Sequence, residues 1–338
     1  MSQGIKANII VTRCDEPLDQ DMKNKIALFC DVNEHAIIES RNVDNLYELP
    51  LSFQEQGLDS YILKKFKLDH LGPAYMEDWK AMIERTNNLN NKVKIALVGK
   101  YVQLHDAYLS ASEALLHAGY DLSTEIDLSW IDSETVTEQN MEEYFANVDG
   151  IIVPGGFGSR GVEGKVLAAQ YARENNVPYF GISLGMQVAA IEFARNVCGL
   201  EGANSVEMGE TSHPIIDLTE GRLDNKHLGD SLRLGNYPCQ FKEGSKAFNL
   251  YDEKVVFERH RHRYEFNNKY RELFEENGMS FSGLSPDGQL VELIELEGHD
   301  FFLGCQFHPE FKSRPNRSHP LFYGFVKASL LFSQKRVK

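Results

Sequence analysis

The stretch PYFGISLGMQ, residues 178–187, sets an apolar run, a Gly-Ile-Ser-Leu-Gly pentapeptide and the opening of a helical pattern in immediate succession. This strand-turn-helix order is what a nucleophile elbow requires. Glycines on both sides of Ser183 remove the Cβ atoms that would collide in so tight a turn. The turn then lifts the serine side chain above the sheet, and the free N–H groups of the following helix face a developing oxyanion.

Around this point the pattern alternates between continuous apolar runs and helical spacings. Runs 94–98, 125–131, 150–153 and 178–182 read as strands buried on both faces, and 107–119, 141–145, 164–175 and 185–198 read as helices, the first of these ending on Gly119 as its C-cap. Such βαβα alternation predicts an α/β fold, a mostly parallel central sheet flanked by helices. Downstream the texture turns β-rich, with strands expected over 230–237, 255–266, 278–285, 290–296 and 301–306, a helix over 269–276 and a closing helix over 320–332. Upstream, strands at 7–13 and 36–38 and helices at 19–29 and 60–67 form a smaller αβ segment, read as the tail of a domain that began earlier. We therefore expect three parts: 1–65, a helical linker 66–91 ending in the polar run NNLNNK, and a main domain over 92–335.

The formal net charge of −15 argues against nucleic acid or an acidic membrane surface as the main partner. The five cysteines are scattered, with no CxxC pair and no histidine at zinc spacing, so neither a metal site nor a disulfide framework is expected. No signal peptide or membrane-length apolar run is present, which fits a reduced, cytoplasmic chain.

Two further motifs converge on Ser183. PGGFG, residues 154–158, closes another strand, so the amide of Gly156 together with that of Leu184 can form an oxyanion hole. QFHPEF, residues 306–311, supplies His308 as a base and Glu310, two residues on, to hold its tautomer. In ERHRHRYE, residues 258–265, alternation sets Arg259, Arg261 and Arg263 on one side of a strand, where guanidinium groups suit a carboxylate or phosphate.

Taken together, PGGFG, GISLGMQ, ERHRHRYE and FHPEF resemble the class I glutamine amidotransferase domain of CTP synthase, and IIVTRCDEPL through FCDV resembles the end of the preceding amidoligase domain. The resemblance covers the whole chain and implies a flavodoxin-like α/β fold for its main domain. It implies that Ser183 occupies the nucleophile position, that His308 is the general base and Glu310 the orienting acid. It places L-glutamine against Gly156, Phe157, Leu184, Gln187, Glu207 and Arg263, with Arg261 an alternative. It further implies GTP as an allosteric activator near Phe157, Arg160 and Glu163, and an ATP-site remnant at Arg13, Asp31 and Val32. For the full-length family enzyme it implies ATP and Mg²⁺ for converting UTP to CTP, the amidoligase domain as partner, and a homo-tetramer.

Two departures shape the functional expectation. The family carries cysteine where this chain has Ser183, and a hydroxyl is a far weaker nucleophile than a thiolate, so glutamine is expected to bind and to be hydrolysed very slowly or not at all. No GxxxxGK[ST] segment occurs, so ATP-dependent amination is not expected of this polypeptide by itself. One alternative is a catalytically silent module that binds glutamine or GTP or serves assembly. Another is a serine hydrolase, since residues 181–185 satisfy G-x-S-x-G, although that fold orders its acid before its histidine and carries an HGGG-type loop absent here.

Overall fold

The protein is described by a computed structural model covering residues 2–218 and 232–336. Its chain divides into two compact units, Met1–Asn88 and Leu89–Lys338. In the first, β1 (Ile10–Cys14) and β2 (Ile37–Arg41) pair in parallel around α1 (Gln20–Cys30). Asp19 caps α1 by accepting from the Met22 amide, and Asp31 ends it in the left-handed conformation. Helices α2 (Leu49–Glu55), α3 (Leu58–Lys65) and α4 (Glu77–Thr86) complete the unit. The last of these falls in the stretch expected as a linker, and Trp79 donates its indole N–H to the Tyr47 carbonyl at 2.8 Å.

The second unit is built on one mixed sheet of nine strands among the described residues. Its parallel half comprises β3 (Asn91–Gly99), β4 (Thr124–Asp132), β5 (Gly150–Val153), β6 (Tyr179–Ile182) and a late strand that follows the others in sequence. The helices between them are α5 (Leu109–Asp121), α6 (Met141–Phe145), α7 (Val162–Glu174) and α8 (Leu184–Asn196). Then come β7 (Asn204–Ser205), β8 (Pro214–Leu218), β9 (Arg233–Phe241), α9 (Lys246–Tyr251), β10 (Val255–His262), β11 (Tyr264–Phe266), α10 (Arg271–Glu276), β12 (Met279–Leu284), β13 (Val291–Leu296), β14 (Phe302–Cys305) and α11 (Pro320–Arg336). The strand order is β10-β9-β12-β13-β14-β6-β5-β3-β4. From β14 to β4 every pairing is parallel, whereas β10, β9, β12 and β13 pair antiparallel. The β-rich C-terminal part thus extends the main sheet, and β11-β8-β7 forms a separate small one.

Strands β3, β5, β6 and β14 are almost wholly buried, and helices on both faces cover them, as their unbroken apolar runs require. Two sequence expectations need correction. Gly119 is not the C-cap of α5, which continues to Asp121; a Cβ there would sit 2.5 Å from the Thr124 carbonyl oxygen, so the glycine admits the incoming strand. The expected strand 255–266 breaks at Arg263 into β10 and β11, which belong to different sheets, so Arg259 and Arg261 share the exposed face of β10 but Arg263 sits at the bend. The expected strand 230–237 begins outside the described residues and is seen from Arg233.

Candidate active site

Because β3, β5, β6 and β14 run parallel, their C-terminal ends open at one edge of the sheet, where α/β folds collect their functional groups. The register carries Val153 beside Gly181 and Ile182 beside Cys305, so the residues following these strands emerge side by side. Ser183 follows β6 with φ 52° and ψ −104°, a conformation rarely occupied by a residue with a side chain. The turn is closed by the Ser183 N–H donating to the Cys305 carbonyl at 2.7 Å and by the Met186 N–H donating to the Ser183 carbonyl at 3.0 Å. A Cβ at Gly181 would lie 2.5 Å from the Gly185 carbonyl carbon, and one at Gly185 would lie 2.0 Å from the Val153 carbonyl oxygen. Neither position can hold any other residue without moving backbone. The serine hydroxyl does not cap α8, although Ser183 stands at its N-cap.

His308 arrives from β14 through Gln306 and Phe307, and its own N–H donates to the Arg259 carbonyl at 2.7 Å. Its Nδ1 lies 2.7 Å from Glu310 Oε1, the spacing of an imidazole oriented by a carboxylate. The glycine loop joins the two centres: a Cβ at Gly155 would be 2.9 Å from His308 Cε1 and 3.7 Å from Ser183 Cβ. Next to it Gly156 packs on Leu184, whose Cδ2 would stand 3.3 Å from a Cβ at that glycine. Lys100, at the end of β3, donates its ammonium to the Phe157 carbonyl, and the Gly158 N–H donates to Glu207 Oε1 at 2.7 Å. The loop is thereby tied at successive residues.

The structure brings Ser183, Leu184, His308, Glu310, Gly156 and Glu207 to this edge. Gln187, one turn into α8, is buried and donates to the Tyr264 carbonyl at 3.2 Å and to Gln306 Oε1 at 3.1 Å. Phe157 is half exposed with the Arg261 guanidinium 6.0 Å from its ring centre. Arg160 pairs with Glu134 and lies 5.1 Å over the Tyr101 ring, and Glu163 accepts from Arg195 at 2.7 Å. In the first unit, Arg13 donates to Asn42 at 3.3 Å, Asp31 pairs with Lys6 at 2.6 Å, and the Val32 N–H closes α1 on the Ala27 carbonyl. A cavity of about 470 Å³ opens beside His308, lined by Leu232, Leu234, Gly235, Arg259, Arg261 and Phe311.

Three features escape sequence reading. Lys165, at the fourth position of α7, is 0% exposed and its Nζ has no hydrogen-bond partner among the described residues. Burial, helped by the nearby charges of Lys100 and Arg160, brings it down to about 7 from the ordinary lysine range. Its signal was only a lone lysine in the apolar run GKVLAA. Behind His308, the inner face of β10 carries Glu258, His260 and His262, all buried. His260 packs on Phe307 and is held neutral by burial, down to about 2, while Arg233 forks between Glu265 at 3.0 Å and Glu292 at 2.7 Å. Burial drives Glu292 up to about 7 in spite of that arginine.

Comparison with known proteins gives this edge its context. The description "Glutamine amidotransferase class-I" matches residues 103–328, and "CTP synthase N-terminus" matches residues 1–68. A CTP synthase of Bacillus velezensis is 55% identical over 336 residues, 99% of this chain and 63% of that protein. A CTP synthase of Staphylococcus aureus is 54% identical over 334 residues, 98% of this chain and 62% of that protein. The chain therefore spans under two thirds of the length of these relatives. Among solved structures, the Trypanosoma brucei CTPS glutaminase domain with bound acivicin superposes with a TM-score of 0.66 at 40% identity, covering 70% of this chain and 93% of that one. On the strength of the match over 103–328 and of this structural relative, the chain belongs to the class I glutamine amidotransferases, within the CTP synthase family.

Proposed function

We propose that the second unit binds L-glutamine at the edge formed by the Ser183 elbow and the PGGFG loop, and transfers its γ-acyl group to Ser183. The observation that carries this reading is the His308–Glu310 pair at 2.7 Å, with His308 and Ser183 both flanking Gly155. In this reading His308 removes the hydroxyl proton as Ser183 Oγ attacks the γ-carbonyl and returns it to the departing ammonia, and Glu310 steadies the imidazolium. The amides of Gly156 and Leu184 receive the oxyanion. Glu207 suits the α-ammonium of glutamine and Arg263 its α-carboxylate, with Gln187 shaping the floor.

A serine at this elbow is a hydroxyl nucleophile in a site whose relatives are expected to hold a thiol, so turnover is slow in this reading. Ammonia release to an ATP- and Mg²⁺-dependent conversion of UTP to CTP, activation by GTP near Phe157 and Arg160, and tetramer assembly are proposals for the whole protein. The exposed ring of Phe157 and the cations about it favour the GTP placement. The test compares ammonia release from glutamine by the chain as given and by Ser183→Cys, each with and without GTP. A rise of about a hundredfold or more in the cysteine variant is expected. Absence of calorimetric glutamine binding in both would overturn the reading.

A further inference from the structure

Lysine is among the side chains least often buried without a partner, and in this chain one is fully buried beside the loop that carries the candidate oxyanion amide. Lys165 sits in the first turns of α7, which starts at Val162 immediately after the PGGFGSRG segment. Side chains of a helix lean toward its N-terminus, which carries the Lys165 amine back toward the glycine loop. A Cβ at Gly156 would lie 3.5 Å from Lys165 Nζ, 3.3 Å from Leu184 Cδ2 and 3.9 Å from Lys100 Cε. Gly156 is thus wedged between the elbow and two lysines. The two differ in their bonding. Lys100 spends its charge on the Phe157 carbonyl, whereas Lys165 has no acceptor among the described residues.

We propose that Lys165 is a positioning residue for the reaction, one whose ammonium charge is satisfied only when the oxyanion forms at Gly156. The proposal rests on the glutaminase reading above. In the resting site the charged form has no acceptor among the described residues: the groups directed at it are the cations Lys100 and Arg160, while Glu207 is engaged by the Gly158 amide and Glu134 by Arg160. Its amine therefore loses its proton near neutrality, at about 7. Negative charge developing on the γ-carbonyl oxygen beside Gly156 reverses that balance, so the protonated form of Lys165, already present near neutrality, is the one that assists. No bond of the substrate passes through Lys165; its effect is carried by the Gly156 loop and the field at that point. An unpartnered buried cation costs stability, and a residue that reduces stability while assisting a reaction leaves a signature opposite to that of a packing residue.

The experiment uses Lys165→Met, which keeps the length and removes the charge. It is made in the chain as given, for glutamine affinity by calorimetry and for thermal midpoint, and in Ser183→Cys, for steady-state turnover between pH 6 and 9. Expected are a thermal midpoint raised at pH 7, with the gain shrinking as pH rises toward 10 because taking the proton off the unfolded chain's ordinary lysine then costs less and less. Also expected are a kcat lowered by about tenfold or more with KM and affinity within about twofold, and a pH profile that loses one ionisation near neutrality. A lowered midpoint with kcat and KM damaged together marks a packing role and overturns the proposal. So does an unchanged kcat. Loss of glutamine binding in the parent would instead strike the glutaminase reading, and the midpoint comparison still decides whether Lys165 is a strained charge.

Discussion

At the scale of residues the site is a set of local constraints, and those were the most legible. Gly181 and Gly185 announce the elbow because their neighbours lie within 2.5 Å of where a Cβ would be, a demand that only glycine meets and that the sequence prints directly. His308 and Glu310 are two residues apart, and their pairing needs no knowledge of the fold. Arg263 was misplaced because alternation holds only while a strand continues, and β10 ends at His262. Lys165 was illegible for a different reason: its burial is decided by what lies over α7, the loop and the elbow together, which no pattern within its own helix records. The dyad carries its own prediction. Replacing Glu310 by Gln leaves the ring of His308 in place with the wrong tautomer favoured. In the Ser183→Cys background kcat should fall by about 10²- to 10⁴-fold, with glutamine affinity unchanged by calorimetry.

At the scale of elements, the helices on the sheet are held by packing and by a few buried charges. Arg173 of α7 forks onto Glu192 of α8, with Nε at 3.0 Å from both carboxylate oxygens and one terminal nitrogen at 2.8 Å, and Glu192 is wholly buried. Removing Arg173 leaves Glu192 buried with only the Asn196 amide to face it among the described residues, whereas Arg173 also pairs with Glu174 at 3.0 Å. Arg173→Ala should cost about 3–5 kcal/mol, seen as a lower urea midpoint, and a double replacement of Arg173 and Glu192 by apolar residues of similar volume should cost less. The sequence revealed the strands and helices of the parallel core, because their apolar runs and helical period are clear, but not β7, β8 or α9. It did not reveal that β9, β10, β12 and β13 would extend the same sheet. Antiparallel joining depends on which edge is left open, and β14 presents its free edge to β13.

At the scale of the molecule, the histidines set a limit on acid tolerance. Burial holds His117 down to about 4 and His260 to about 2, and lowers His262 and His299 as well. Above pH 6.5 both folded and unfolded chains carry these rings neutral, and they add nothing to the pH dependence. Below it the unfolded chain takes protons that the folded one refuses, so stability falls with pH by about 1.4 kcal/mol per unit for each such ring. The thermal midpoint should therefore drop between pH 6.5 and 4, and His117→Asn should reduce that slope by about one proton. The parallel core was readable from periodicity, whereas the placement of β14 was not.

That placement has a consequence in time. β14 is the last sheet strand in the sequence among the described residues, yet it lies in the interior, between β6 and β13. The elbow strand is complete about 120 residues before its future neighbour is made, counting from Ile182 to Phe302. Until β14 inserts, a chain can own a nucleophile turn but no base beside it, so chemical competence waits on a long-range closure of the kind that makes such sheets slow to form.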